Sequence, residues 1–167
     1  DNTLKLLQHM RTSYNFELEL DLKAKKTVRI NEQELEQVLV NLLVNAIHAL
    51  DKKNGKICVA ARDWDDKGVV ILIKDNGSGM DRDQISRIFN PFYSTKQQGE
   101  GTGLGLSLSY GLIRRYGGNI TVASTPGSGA EFYVWLLTEP VLVADEETIS
   151  EQLHELETVA ATVNFGE

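Results

Sequence analysis

The chain has 167 residues, 41% of them hydrophobic and 25% charged, and a formal net charge of -7. That length suits one domain with a sizeable core and short extensions, and the acidic balance excludes the basic footprint that a nucleic-acid binder needs. The longest apolar runs, Val69 to Ile73 and Phe132 to Leu137, are strand-sized and far too short to cross a bilayer.

No signal peptide is legible, and the missing initial Met reads as an excised fragment. The single Cys58 cannot form an internal disulfide, which fits a reducing cytoplasm. Its simplest role is that of a small apolar residue in a strand.

Asp1 to Arg11 reads as a helix fragment with Leu4, Leu7 and Met10 on one face, where His9 is a solvated or packing side chain. Phe16 to Leu22 alternates apolar with acidic residues, the period of a half-buried strand, and Thr27 to Ile30 reads as a second short strand. Asn31 followed by Glu34 predicts a capped helix start. The helix is expected to run to about Leu50, with Leu35, Val38, Leu39, Leu42, Leu43, Ala46 and Leu50 on one arc at about 100° per residue.

Asn41, Asn45 and His48 form a polar stripe along the edge of that arc. Asparagine is a mediocre helix former, so two of them four residues apart need a reason. Either the amides hydrogen-bond neighbouring loops, or they present neutral oxygens to a hydrated cation such as Mg²⁺, whose charge is balanced largely by substrate phosphates.

Lys56 to Trp64 and Val69 to Lys74 read as strands joined by a polar turn, and the second runs into Asp75-Asn76-Gly77-Ser78-Gly79-Met80. A carboxylate only accepts hydrogen bonds, so Asp75 would suit the amino group of adenine at a pocket rim. A solvated aspartate in an Asx-type turn accounts equally well for the pattern. Asp81 starts a short helix through Ile88. The stretch from Asn90 to Gly101 is long, polar and glycine-ended, as a mobile lid is. Phe89, Phe92 and Tyr93 read as its packing anchors, and Lys96 as either a solvated lysine or a cation for a terminal phosphate.

In Gly99-Glu100-Gly101-Thr102-Gly103-Leu104-Gly105-Leu106-Ser107 four glycines fall at alternate positions before an apolar helical pattern. Glycine lets main-chain N–H groups approach a ligand, and a helix start there adds unsatisfied N–H groups and a positive dipole end. The chemistry suits phosphates, with a mobile hinge as the alternative, and neither the dinucleotide fingerprint nor a Walker loop is present. The helix is expected to stop at Gly117-Gly118. Asn119 to Ser124 and Ala130 to Leu137 then form a strand pair.

Four of these stretches resemble, in order, the boxes of the catalytic, ATP-binding domain of sensor histidine kinases. Asn41-Leu42-Leu43-Val44-Asn45-Ala46 is similar to the N box, and Asp75 to Met80 to the first glycine box. Ile88 to Lys96 is similar to the F box, of the nitrogen-regulator type, and Gly101 to Leu106 to the second glycine box. The resemblance covers about Val28 to Leu137. It implies an α/β fold, a two-layer Bergerat sandwich whose mixed sheet is covered on one face by helices, with a mobile ATP lid.

It also implies ATP and Mg²⁺ as cofactors. By matching position, Asp75 would accept the adenine amino group, with Gly77, Gly79, Met80 and Thr102 around the base. Asn45 would ligate Mg²⁺, with Asn41 supporting the metal or the phosphates. Gly101 and the backbone amides of Gly103, Leu104, Gly105 and Leu106 would cradle the phosphates, and Lys96 would reach the γ-phosphate. Asn41 and Lys96 are the residues expected to serve the transfer itself. His48 stands where many relatives carry a phosphate-contacting Lys or Arg.

ATP-hydrolysing relatives place a Glu where this chain has Asn41, and an amide cannot act as a base at neutral pH. No phosphoacceptor histidine box is present. The resemblance therefore implies the catalytic half of a kinase, with a nucleotide-binding regulatory module or a hydrolytic ATPase of the same fold as the alternatives. The partners it implies are ATP or ADP, a dimerisation and phosphoacceptor domain, and a response-regulator receiver domain, with no direct membrane contact. The expected organisation is the tail of a dimerisation helix over 1–14, the catalytic domain over 15–139 and a C-terminal extension over 140–167. In the extension, Val141 to Glu147 is similar to the first strand and acidic cluster of a receiver domain. An acidic helix packing on the domain, or a loose tail, is the alternative.

Overall fold

The computed structural model describes residues 16–50, 54–94 and 103–139. Its elements are β1 (Glu17–Leu22), α1 (Glu32–Ala49), β2 (Lys56–Trp64), β3 (Gly68–Asp75), α2 (Arg82–Arg87), α3 (Gly105–Arg115), β4 (Asn119–Ser124) and β5 (Ala130–Leu137). The strands form one mixed sheet in the order β1-β2-β3-β5-β4. Only β1 and β2 are parallel, and every other neighbouring pair is antiparallel.

Residue alternation divides the sheet into two faces. Ile73 pairs with Phe132 and Ile71 with Val134, and these side chains meet Val38, Leu42, Leu43, Ala46 and Ile113 in the main core. Helix α1 lies over β3, and α3 over β4 and β5. The expected two-layer α/β sandwich is what forms. On the opposite face Val70 pairs with Trp135, and both belong with Trp64 to a second buried cluster.

Local chemistry sets the helix ends. The Asn31 side chain accepts from the N–H groups of Gln33 and Glu34, as an N-cap should. Glu34 does not close the expected capping box. Its carboxylate instead accepts from Arg115 and from the Tyr116 hydroxyl, tying the start of α1 to the end of α3. Those hydrogen bonds, Arg115 first, hold its carboxyl below its ordinary range. Asp81 and Gln84 do close a capping box at α2. Helix α3 ends where Gly117 N–H bonds to Arg114 O and Gly118 N–H to Ile113 O, the paired bonds of a Schellman stop.

Two expectations fail at the sheet edge. Thr27–Ile30 forms no strand. Just before it, the N–H groups of Lys25 and Lys26 donate to Asp63 Oδ1 at 2.8 and 2.9 Å, so a side chain replaces the ladder, while Val28 and Ile30 pack against the core. Strand β1 is also less buried than its alternation predicts. Leu18 reaches the core, but Leu20 and Leu22 are 45% and 54% exposed, because the helical layer covers β3, β4 and β5 rather than this edge. The expected helix at Asp1–Arg11 and the extension over 140–167 lie outside the described residues.

Candidate functional site

A cavity of about 420 Å³ opens between α1, the end of β3, and the start of α3. Strand β3 delivers Asp75 to its wall with only 3% of the side chain's residue surface exposed. The Gly77 N–H donates to Asp75 Oδ1 at 2.8 Å, an Asx turn, and the Ala130 backbone also bonds the carboxyl. Burial pushes the Asp75 carboxyl above its ordinary value, and the two backbone hydrogen bonds offset only part of that. A carboxylate has about four acceptor sites, so capacity remains for a donor in the cavity. The Asx turn is present, but its aspartate is buried rather than solvated.

The turn after Asp75 is clamped against the β4–β5 hairpin. Gly127 N–H bonds to Ser78 O at 2.6 Å, and Met80 N–H to Ser124 Oγ at 2.9 Å. Gly79 has φ +66°, and a Cβ there would sit 2.0 Å from Thr125 O. Gly79→Ala is therefore expected to destabilise the domain by about 1–2 kcal/mol from left-handed strain alone, and by more once the Thr125 carbonyl is displaced. Gly111→Ala, where a Cβ meets nothing within 4 Å, should cost nothing. Denaturant unfolding of the two variants checks the contrast.

Helix α1 supplies the opposite wall. Asn41 Nδ2 donates to Ser109 Oγ at 3.1 Å and Gly105 O at 3.4 Å. Its two amide hydrogens are thereby used to hold α1 to α3, and only Oδ1 is left for a ligand. Asn45, one turn on, is half-buried at the cavity. His48 is exposed in the last turn of α1 and also lines the cavity.

Helix α3 begins at Gly105 without a side-chain cap, which leaves its first backbone N–H groups to be satisfied otherwise. Gly103, with φ +66°, lies against Phe92. A Cβ there would come within 2.6 Å of the Phe92 backbone, and Phe92 N–H bonds to Gly103 O at 3.0 Å. This close approach brings the two sides of the 95–102 stretch together.

The structure thus gathers Asn41, Asn45, His48, Asp75, Gly79, Met80, Gly103, Gly105 and Leu106 around one cavity. Gly77 and Leu104 do not line it. Gly77 instead backs onto α1, where a Cβ would sit 2.3 Å from Ala49 O, and Leu104 is the N-cap of α3. Lys96, Gly101 and Thr102 lie outside the described residues. Phe89 packs on Tyr110 with ring centroids 4.9 Å apart, and the Arg87 guanidinium lies 4.8 Å from the Tyr93 ring centre. Phe92 is no packing anchor: it is 77% exposed, and its φ of +65° turns it out of the core.

Sequence reasoning missed the apolar floor, formed by Val44, Ala49, Ile88, Ala130 and Phe132. These positions carry the ordinary periodic pattern of core residues, and no local signal marks them as cavity walls. Among the described residues no group of three or more His, Cys, Asp or Glu could hold a metal ion.

The fold matches solved kinase domains. The catalytic domain of histidine kinase ThkA superposes with a TM-score of 0.72 at 28% identity, covering 83% of this chain and 90% of that one. ThkA in complex with the response regulator protein TrrA matches with a TM-score of 0.69 at 25% identity, covering 83% of this chain and 39% of that one. This is the α/β two-layer class in which a helical layer and one sheet face enclose the site. A family model described as histidine kinase-, DNA gyrase B-, and HSP90-like ATPase matches residues 30–140, and the chain belongs to that family. Sensor histidine kinase ZraS of Salmonella typhimurium is 38% identical over 134 residues, which cover 78% of this chain and 28% of that protein. The chain therefore spans little more than a quarter of that relative's length.

Proposed function

We propose that this chain is the ATP-binding catalytic domain of a two-component sensor histidine kinase, and that it transfers the γ-phosphoryl group to a histidine on a separate dimerisation domain. The observation that carries this reading is the convergence of Asp75, Asn45 and the uncapped start of α3 on one cavity. Asp75 accepts the adenine amino group, and Gly79 and Met80 hold the base edge. The first amides of α3, with Gly103 and Leu104 before them, hold the phosphates at a helix N-terminus, where negative charge is favoured. Thr102 completes the base side, and Gly101 and Lys96 complete the phosphate side, with Lys96 on the γ-phosphate.

The donor set fits Mg²⁺ only as a companion of the nucleotide. Asn45 makes no side-chain hydrogen bond among the described residues, and Asn41 has only Oδ1 to give. Two neutral amide oxygens suit an ion that keeps its waters and takes its charge balance from phosphates. When bound, that ion neutralises charge on the phosphates, while the chain's own residues position them. Neither amide can serve as a base for water, which disfavours a hydrolytic ATPase.

The partners follow from the same reading. Phe92 and Leu108, 77% and 52% exposed, flank the 95–102 stretch and offer apolar contacts to a dimerisation domain. ThkA bound to its response regulator supports a receiver domain as the onward partner. Residues 1–14 are the tail of the dimerisation helix, 15–139 the catalytic domain, and 140–167 an extension. No helix among the described residues is long and apolar enough to cross a membrane, and we place the domain in the cytoplasm. The test is transfer of radiolabel from γ-labelled ATP to an added dimerisation domain. Acid-labile, base-stable label on that domain is expected. Steady phosphate release by this chain alone, with no label transferred, would overturn the assignment in favour of a hydrolase.

A further inference from the structure

The sheet face turned away from the helices is dry where it carries the tryptophans, although Lys74 and Ala123 further along it are exposed. Trp135 and Val70 are 0% exposed, Ala60 2%, and Trp64 and Leu72 5%. Register puts all five on that face, across β2, β3 and β5. Trp64 and Trp135 meet edge-to-face with centroids 5.1 Å apart, Tyr133 stacks at 6.3 Å, and Trp135 Nε1 donates to Thr121 Oγ1. Neighbours within the sheet cannot by themselves exclude water from both indoles, because a sheet face left uncovered stands open to solvent. Helices α1 and α3 pack on the other face. The Trp64 indole N–H is buried as well.

We infer that residues 140–167 of this same chain form that layer, as an amphipathic helix laid across the tryptophan face. The segment leaves β5 beside the cluster: Thr138 N–H bonds to Lys67 O, and the Lys67 ammonium stands 5.3 Å from the Trp64 ring centre. It lies beyond the family match, which ends at residue 140, so it is an addition to the shared fold. Ile149, Leu153, Leu156, Ala160 and Val163 recur at the spacing of one helix face. A helix over 147–163 is about 25 Å long, ample to cross β2, β3 and β5, which at their usual spacing span about 10 Å. The segment contains acidic residues but no Lys or Arg, so its polar face meets no like charge from Lys67 or Arg62 at the edge of the cluster.

The chain's two tryptophans are both in this cluster, so intrinsic fluorescence reads this face alone. Shortening the chain to end at Glu139 is expected to red-shift the emission and raise acrylamide quenching several-fold, with ATP binding retained by calorimetry. Should the shortened chain fail to bind ATP, the full chain carrying Leu153→Glu and Leu156→Glu gives the same reading. A red shift with binding retained supports the inference, and an unshifted spectrum overturns it. A shift produced by Leu4→Glu and Leu7→Glu alone would assign the cover to the other end of the chain. A shift on diluting the unaltered chain would assign it to a second copy. Either result overturns the inference.

Discussion

Asp75→Asn is expected to weaken ATP binding while making the nucleotide-free domain more stable. The loss follows from replacing a charged acceptor facing the base with a neutral amide. Hydrogen bonds to charged groups contribute about 1.5–3 kcal/mol, which is a drop of roughly 10–150-fold in affinity. The stability gain follows from burial. Desolvation raises the Asp75 carboxyl above its ordinary value, so the folded state resists the charge that the unfolded chain carries without cost. For a group shifted in this direction, stability is fully present below the unfolded value and is lost as pH rises through the folded one. Asparagine removes that penalty and can still accept from Gly77 N–H. ATP affinity in the unaltered chain should fall as pH drops through the raised value, because the acceptor becomes protonated. Glu34 acts with the opposite sign: its lowered carboxyl contributes stability that fades as pH falls. Calorimetric titration and thermal unfolding of both chains across pH check the set. A variant that binds ATP as tightly as the parent would remove Asp75 from the adenine contact.

Asn45→Ala is expected to cut phosphoryl transfer by roughly 100-fold, the scale of a lost ligand or charge-stabilising group, with stability changed by no more than about 0.5 kcal/mol. The separation of the two effects is the informative part. Asn45 is half-buried and has no hydrogen-bond partner among the described residues, and alanine is the better helix former. Asn41→Ala should behave differently. It deletes the hydrogen bonds that hold α1 to Ser109 and Gly105, leaving the buried Ser109 hydroxyl without that donor. Both transfer and stability should therefore decline. Transfer at the parental rate by Asn45→Ala would exclude a role for that amide in holding the metal.

The strands and helices were largely legible because each was specified locally. Asn31 caps α1, the Asp81–Gln84 box starts α2, and Gly117-Gly118 stops α3, and every one of these signals acts within a turn of its own position. The errors came where a distant group intervened. Thr27–Ile30 has a strand's composition, but Asp63, far along the chain, takes the backbone N–H groups just before it. Glu34 has a capping-box position, but Arg115 and Tyr116 outbid the Asn31 N–H for its carboxylate. Phe92 looks like a core aromatic until the contact with Gly103 forces its backbone into the left-handed region and its ring into solvent.

Sequence alone determined the chemistry available to this protein: an acceptor-only carboxylate at a strand end, two helix amides, and a glycine run before a helix. These are properties of residue type and short spacing, and they survive in any fold that keeps the elements. Tertiary structure decided which of them share a cavity, that Asp75 is buried rather than solvated, and that Asn41 spends its N–H groups inside the protein. It also decided that Val44, Ile88 and Phe132 are a floor and not merely core. Burial and hydrogen-bond partnership depend on residues tens of positions apart, and no local pattern encodes them.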